Sequence, residues 1–288
     1  MLRLLHSTRL TRVSRALSCV AVALTLWAQG ICAQETASAD SPQRQLYLLH
    51  CAGCHGQHGE GDGIAARFVF PKPRDFTTGR MRLVRTENRV ASAEDIRQSI
   101  ARGFPGTSMQ GWDQLGAESL DQLTAEVIRL RDQGVRKEVV QSLNEEGASV
   151  EPKKVDLLVQ SLTRPGAVWQ SPEFPSSDDA SIQRGAQLYV KQSCHSCHGK
   201  DGAGSWKMDL VDDKGRPSWA TDLRFDPYKG ATDSVSIARR ITLGMPGSAM
   251  PTSRKLSDQE LIDLVHYCQS LARQPKYVLT NHQRVQRA

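Results

Sequence analysis

Two stretches of the chain carry apolar residues at intervals of three or four, which is the spacing of an amphipathic helix. Each apolar position in the first stretch is matched by one in the second, 141 residues later. Ser257 and Glu260 have the spacing of a capping box, which predicts where the second helix begins. The matched positions are Leu115, Leu120, Leu123, Val127 and Leu130 in the first stretch, and Leu256, Leu261, Leu264, Cys268 and Leu271 in the second.

A further pair of helices is predicted upstream of these two, and it shows the same repeat. Ser92 with Asp95 marks the start of the first, and a glycine that suits a helix C-cap ends both. A Gln-Leu-Tyr triplet also occurs twice, at 45–47 and 187–189, within segments that resemble short helices. The chain is therefore predicted to contain an internal duplication. The matched helical positions are Ile96, Ile100 and Gly103, and Ile237, Ile241 and Gly244.

The N-terminus has the composition of an export signal. Four arginines precede a short apolar run at 16–28, and this run is too short to span a membrane readily. A candidate cleavage site that ends in a small residue follows at 31–33, with 28–30 as the alternative. We predict that residues 1–33 are a signal peptide and that the protein is periplasmic. An uncleaved leader that anchors the chain is the other possibility.

Composition agrees with an ordinary soluble protein of about two domains, since 39% of the 288 residues are hydrophobic and 24% are charged. The formal net charge is +6, but four arginines belong to the predicted leader. Without them, 33 basic residues face 31 acidic ones, which leaves +2. The sequence pI of about 9.0 is therefore no evidence for nucleic-acid binding, and no nucleic-acid partner is predicted.

The motif C-x-x-C-H occurs twice, at 51–55 and 194–198, and is the attachment signature of c-type haem. Two thiols one helical turn apart can form thioethers, and the adjacent imidazole can ligate the iron. A dithiol redox pair or a zinc site is the alternative. However, zinc ribbons place their cysteine pairs about 15–20 residues apart, whereas these pairs lie 143 residues apart. We predict two covalently bound haem c groups, with thioether bonds from Cys51, Cys54, Cys194 and Cys197 and iron ligation by His55 and His198.

A repeated loop, G-x-P-G-x-x-M, supplies the candidates for the second iron ligand. Met109 lies 54 residues after His55, and Met250 lies 52 residues after His198. A thioether is a soft neutral donor that suits haem iron, and Pro-Gly turn backbone can hold it in place. Core packing is the ordinary role of a lone methionine. The matched positions nevertheless favour Met109 and Met250 as ligands.

The other donor residues lack an equivalent in the repeat or are poorly placed. Met245 matches Phe104, which predicts packing, and Cys268 matches Val127, which predicts a buried small side chain. His58 lies too close to His55 to reach the opposite face of a haem. Unmatched or filler positions are Met81, Met208, His50, His266 and His195.

On these features the chain resembles the class I c-type cytochromes, and more narrowly their diheme tandem forms. The resemblance covers most of 41–133 and 181–273. It rests on both C-x-x-C-H motifs, the glycine runs that follow them, both methionine loops and both terminal helices. It implies an all-α fold of two tandem cytochrome c-like domains, each a small helical bundle around one covalent haem. The axial pairs it implies are His55 with Met109 and His198 with Met250.

The resemblance also suggests a division of the chain and a role for one arginine. Arg74 lies in a segment that lines a haem edge in relatives, so we expect it either to pair with a haem propionate or to lie in solvent. The predicted division is a signal peptide at 1–33, a first cytochrome c domain at 34–133, a linker at 134–180, a second domain at 181–275 and a basic tail at 276–288.

Two hypotheses for function follow. An iron with both axial positions filled has no open site for a substrate, which favours an electron carrier over an enzyme. Its expected partners are periplasmic redox proteins, such as a dehydrogenase or a terminal oxidase or reductase, and membrane contact is expected only through an uncleaved leader or a membrane-bound partner. The alternative is a diheme peroxidase or thiosulfate-oxidising enzyme with one catalytic haem. A catalytic cysteine ligand in such an enzyme would have to be Cys268.

Overall fold

The computed structural model describes residues 41–204, 209–253 and 255–272. The predicted signal peptide, the basic tail and Met208 lie outside these residues. Within the described ranges all regular elements are helical, and β-pairing is limited to two isolated bridges. The all-α prediction is therefore confirmed. None of the helices in this part of the chain is long and apolar enough to cross a bilayer.

The first unit contains four α-helices in the predicted order. Ser92 and Asp95 form the predicted capping box at the start of the third helix, which ends at Gly103 with φ +66°. The first and third helices both pack against the fourth. The elements are α1 (Pro42–His50), α2 (Ala52–His55), α3 (Ala93–Arg102) and α4 (Gly116–Glu145), with 3₁₀ turns at Ala66–Phe68 and Asp113–Leu115.

Helix α4 runs past Gly134, where the sequence predicted that the linker begins. This glycine lies inside the helix and faces Thr77, since a Cβ at Gly134 would lie 2.3 Å from the Thr77 Cα. The extension pairs with α5 (Pro152–Thr163). Much of the stretch that the sequence assigned to the linker is therefore helical. The buried residues of this hairpin are Val135, Val139, Leu143, Val155 and Val159.

The second unit repeats the helix order of the first, and the predicted capping box of Ser257 and Glu260 is present. Its first and last helices approach closely at Gly185, where an added Cβ would lie 2.0 Å from the carbonyl oxygen of Asp263. The first unit has Gln43 at the equivalent position. The helices are α6 (Asp179–Lys191), α7 (His195–His198), α8 (Ser234–Leu243) and α9 (Asp258–Leu271).

The connection between the units is ordered and packs against both of them. The Glu87 amide donates to the Ala167 carbonyl, and the Trp169 amide donates to the Arg85 carbonyl, each at 2.8 Å. Trp169 packs against the apolar cores of both units. Leu243 of α8 is buried among the core residues of the first unit. The two units therefore share apolar surface.

Candidate functional site

A cavity in each unit brings together side chains that the sequence predicts as ligands. The first cavity has a volume of about 270 Å³, and the second is smaller, with a volume of about 100 Å³. Cys197 precedes His198 in α7 and is half-buried. The predicted residues in the lining are Cys51, Cys54, His55 and Met109 in the first cavity, and Cys194, His198 and Met250 in the second.

The C-x-x-C-H motif forms one helical turn in both units. The His55 amide donates to the Cys51 carbonyl, and the His198 amide donates to the Cys194 carbonyl, both at 2.9 Å. One turn of helix brings residues three and four apart onto the same face. The first cysteine and the histidine of each motif therefore face the same cavity.

Both motif histidines are oriented by a main-chain carbonyl. Nδ1 of His55 lies 2.9 Å from the Arg74 carbonyl oxygen, and Nδ1 of His198 lies 3.1 Å from that of Thr221. A carbonyl can only accept, so Nδ1 carries the proton and Nε2 keeps its lone pair. Burial lowers the pKa of both imidazoles, which favours the neutral form. A neutral imidazole with a free Nε2 is the form that ligates a metal.

The cysteines are not in the state expected of a dithiol redox pair. Burial raises the pKa of Cys51 to about 12, and burial also raises the pKa of Cys194. Redox-active C-x-x-C pairs instead have a cysteine with a lowered pKa. Within the described ranges, no group of three or more His, Cys, Asp or Glu side chains is arranged to hold a metal ion. Half-buried thiols beside a neutral imidazole in an apolar cavity fit covalent haem better than zinc.

The glycine run after each motif folds back onto the histidine. The Gly61 amide donates to the His55 carbonyl at 2.9 Å, and the Gly204 amide donates to the His198 carbonyl at 2.8 Å. Both glycines have a positive φ, +76° and +79°. A Cβ at Gly61 would lie 2.7 Å from the Pro73 carbonyl oxygen. These glycines are therefore required by the close packing of the loop, and a phosphate-binding role is not needed to explain them.

The two methionine loops have the same internal hydrogen bonds. The Phe104 amide donates to the Met109 carbonyl at 2.9 Å, and the Met245 amide donates to the Met250 carbonyl at 3.2 Å. A hydroxyl near the tip, from Thr107 or Ser248, also donates to the carbonyl of the residue three positions earlier at 2.7 Å. Each methionine therefore follows a closed and braced turn at the cavity wall.

Each cavity also contains a second methionine. Met81 lines the first cavity and Met245 lines the second, and both side chains are buried. Burial alone therefore does not identify the ligand. The repeat separates the candidates, because Met109 and Met250 occupy the same position in the two loops whereas Met245 corresponds to Phe104.

The competing histidines differ in their surroundings. His266 is buried, with Nδ1 2.6 Å from the Ser181 hydroxyl and Nε2 3.1 Å from the Pro175 carbonyl, so both ring nitrogens are occupied. His50 lines the first cavity beside Trp112, at a ring-centroid distance of 5.0 Å. His58 is exposed, and His195 is half-buried.

Cys268 is buried, as predicted from its match to Val127, and it also lines the second cavity. Burial raises the pKa of its thiol to about 12, so the thiol stays protonated at neutral pH. A protonated thiol is a poor metal ligand. The structure therefore supports a packing role for Cys268.

Sequence reasoning missed several residues of the first cavity. The Phe76 ring stacks on the His55 ring with centroids 4.5 Å apart and an interplanar angle of 18°. Arg82 lines the same cavity, and burial together with the nearby positive charge of Arg74 lowers its pKa to about 10. The Arg74 side chain is only 9% exposed and forms an ion pair with Asp213, so the expectation that it lies in solvent is wrong. Among these residues, only Phe76 had a signal in the sequence, because it matches the apolar Leu223 in the repeat.

Comparison with known proteins agrees with these observations. The family model for Cytochrome c matches residues 44–125 and 182–272, which include both C-x-x-C-H motifs and both methionine loops. Among solved structures, a chain of the Kuenenia stuttgartiensis reducing HAO-like protein complex is similar, with a TM-score of 0.65 and 27% sequence identity. The alignment covers 80% of this chain and 96% of that chain. No curated protein matches the sequence significantly.

Proposed function

Because this chain belongs to the cytochrome c family, whose members carry out haem-based electron transfer, we propose that it transfers electrons through two covalently bound haem c groups. Cys51 and Cys54 would hold the first haem, and His55 and Met109 would be the ligands of its iron. Cys194 and Cys197 would hold the second haem, and His198 and Met250 would be the ligands of its iron.

The observation that carries this proposal is the duplicated geometry of the two cavities. Each contains a neutral imidazole whose Nδ1 is held by a carbonyl, so that Nε2 is free for a metal. Each also contains a methionine that follows a braced loop. A carrier needs both axial positions filled, and paired donors repeated in two units fit that requirement better than they fit a site for substrate.

The chain's own residues would set the properties of each centre. A bound haem supplies a redox-active iron, and a methionine ligand raises its potential. The Ile96, Ile100 and Val127 side chains line the first cavity and give it an apolar wall. Arg82 provides a buried positive charge on the same wall, which suits a propionate carboxylate.

The partners we propose are other redox proteins of the periplasm, as the predicted signal peptide implies export. Support for a protein partner comes from the similar solved chain, which is part of a protein complex. The donor could be a dehydrogenase, and the acceptor a terminal oxidase or reductase. Fractionation of cells, followed by detection of covalent haem in the periplasmic extract, tests the location.

The diheme enzyme is the competing function. It would need a haem with an open or unusual axial position, whereas both cavities contain a matched methionine. A high-spin ferric haem or rapid turnover of peroxide in the purified holoprotein would support the enzyme and contradict the carrier. The carrier is expected to show low-spin spectra and two redox couples at positive potential.

The ligand assignment can be tested with four matched substitutions. Met109→Leu and Met250→Leu should each abolish the near-infrared sulfur-to-iron band of one haem. Met81→Leu and Met245→Leu remove the second methionine from the same cavities and should leave both bands intact. Loss of a band in either of these controls, or its retention in Met109→Leu or Met250→Leu, would show that the ligand has been assigned wrongly.

A further inference from the structure

Arg74 lies at the contact between the two units. Its main-chain carbonyl is hydrogen-bonded to the first unit, and its side chain is hydrogen-bonded to the second. Its carbonyl oxygen accepts the hydrogen bond from Nδ1 of His55 in the first unit, at 2.9 Å. Its Nη1 donates to the carbonyl oxygen of Gly247 in the second unit, at 2.8 Å. Gly247 belongs to the loop that carries Met250. One residue therefore contacts a predicted axial histidine and the loop of the other unit's predicted axial methionine.

A buried ion pair holds the guanidinium in this position. Nη2 of Arg74 lies 2.5 Å from Oδ2 of Asp213, and the two side chains are only 9% and 7% exposed. The same nitrogen donates to the Thr78 hydroxyl at 2.9 Å. The rigid fork of a guanidinium can bind an anion and a carbonyl simultaneously, whereas an ammonium cannot reproduce that geometry. The contact to Gly247 therefore depends on arginine specifically.

Contacts on either side of Arg74 fix the segment against the second unit. Nζ of Lys214 lies 3.0 Å from Oδ2 of the buried Asp75. Nη1 of Arg216 donates to the Pro73 carbonyl at 3.3 Å. The backbone that orients His55 is thus docked on the turn at 212–216, and displacement of that turn would be transmitted to the Arg74 carbonyl.

Gly247 is suited to this contact for two reasons. Its φ is +71°, a conformation that favours glycine. In addition, a Cβ at Gly247 would lie 2.3 Å from Nη1 of Arg74. The guanidinium therefore lies directly on the tip of the loop, which is closed by the hydrogen bond from the Met245 amide to the Met250 carbonyl.

The residue that matches Arg74 in the second unit has different partners among the described residues. Thr221 takes the place of Arg74 in the second unit, and its carbonyl accepts from Nδ1 of His198 at 3.1 Å. Its short side chain hydroxyl accepts instead from Lys229, within the same unit, at 3.1 Å. The contact from the first unit to the methionine loop of the second therefore depends on Arg74, whose matching residue in the second unit is Thr221.

We propose that Arg74 is a positioning residue shared by the two haem sites, orienting His55 through its carbonyl and the Met250 loop through its guanidinium. The proposal rests on the function proposed above. The guanidinium donates to Thr78 in its own unit, and it also donates to the Gly247 carbonyl in the methionine loop of the second unit. A change confined to the side chain should therefore reach the haem that is remote in sequence from Arg74.

Arg74→Lys and Asp213→Asn test the link in the intact holoprotein. Both keep the Arg74 carbonyl, while the first removes the fork and the second removes the buried anion. We expect each variant to shift the redox couple of the second haem and to weaken its near-infrared band. The Met250→Leu variant identifies which couple and which band belong to that haem. Arg97→Lys is the matched control, because Arg97 pairs with Asp121 at 2.7 Å within the first unit.

The proposal would be overturned if the redox potential of the second haem shifted no more in Arg74→Lys and Asp213→Asn than in Arg97→Lys. A shift confined to the redox couple of the first haem would overturn it as well. If one of the two variants loses its haem, the other decides the question by the same criterion. Failure of the proposed function is recognised separately, because the wild-type protein itself would then lack two low-spin haems with sulfur-to-iron bands.

Discussion

The hydroxyl of Tyr47 donates a 2.8 Å hydrogen bond to the carbonyl oxygen of Gly56, the residue that ends the first C-x-x-C-H turn. Tyr189 and Gly199 repeat this contact at 2.7 Å in the second unit. Because Tyr47 is fully buried, bulk water cannot replace either partner in this hydrogen bond. The repeated Gln-Leu-Tyr triplet therefore joins the first helix of each unit to the haem-attachment motif.

Tyr47→Phe should destabilise the protein, because the substitution leaves the Gly56 carbonyl without its buried donor. Loss of such a partner costs about 1–3 kcal/mol. Denaturant unfolding of the holoprotein measures the change. Leu49→Ala, at a residue of α1 that is 76% exposed, is the control and should change stability by less than about 0.5 kcal/mol. An unfolding midpoint equal to that of the wild type in Tyr47→Phe would contradict this account.

Gly185→Ala should also destabilise the protein, although alanine in a helix is normally more stable than glycine by about 1 kcal/mol. The added methyl would lie 2.0 Å from the Asp263 carbonyl oxygen, so α6 and α9 would have to separate. Overpacking of this kind costs about 1–3 kcal/mol. Thermal unfolding provides the measurement. Gly53→Ala, whose methyl would meet no atom within 4 Å, should be neutral or stabilising, and equal effects from the two substitutions would refute the packing argument.

Asp263 should make stability depend on pH in the acid range. Its carboxylate accepts hydrogen bonds from Arg184 at 2.7 Å and 2.9 Å and from Ser181 at 2.8 Å, and the Arg184 guanidinium is the main cause of its lowered pKa. A pKa lowered by folding stabilises the native state above the unfolded-state value of about 3.9, and that contribution is lost as pH falls through the folded-state pKa. The expected loss therefore lies below about pH 4.

Asp263→Asn should remove this contribution. At neutral pH the variant should be less stable by about 1–3 kcal/mol, as expected for a hydrogen-bonded charge of which one partner is half-exposed. Denaturant unfolding at a series of pH values should show a smaller stability difference from the wild type as the pH falls below about 4. A difference that stays constant from neutral to acid pH would show that Asp263 acts through packing alone.

The helices and their ends were predictable because their signals are local. The capping boxes at Ser92 and Ser257 and the glycine C-caps at Gly103 and Gly244 require residues within one turn of each other. The repeat strengthened these assignments, since each signal appears twice. The four cysteines and two histidines of the C-x-x-C-H motifs were predicted as haem-binding residues in the same way.

Local signals failed where a distant residue decides the outcome. The sequence predicted that a linker begins at Gly134, yet α4 continues through this residue. The absence of a side chain at Gly134 lets Thr77 pack against the helix. Met81 had no match in the repeat, yet it lines the first cavity together with Met109. Arg74 was expected to pair with a propionate or to lie in solvent; its side chain is only 9% exposed and pairs with Asp213 of the other unit, which excludes the second alternative.

The sequence by itself determined the duplication, the helical class and the residue types that bind a covalent haem, because spacing along one or two helical turns specifies them. The tertiary structure decided how the two units meet, how the Arg74 guanidinium reaches the loop of Met250, and why Gly185 and Gly134 must lack side chains. These features depend on close contacts between residues far apart in the chain, and no local pattern encodes such contacts.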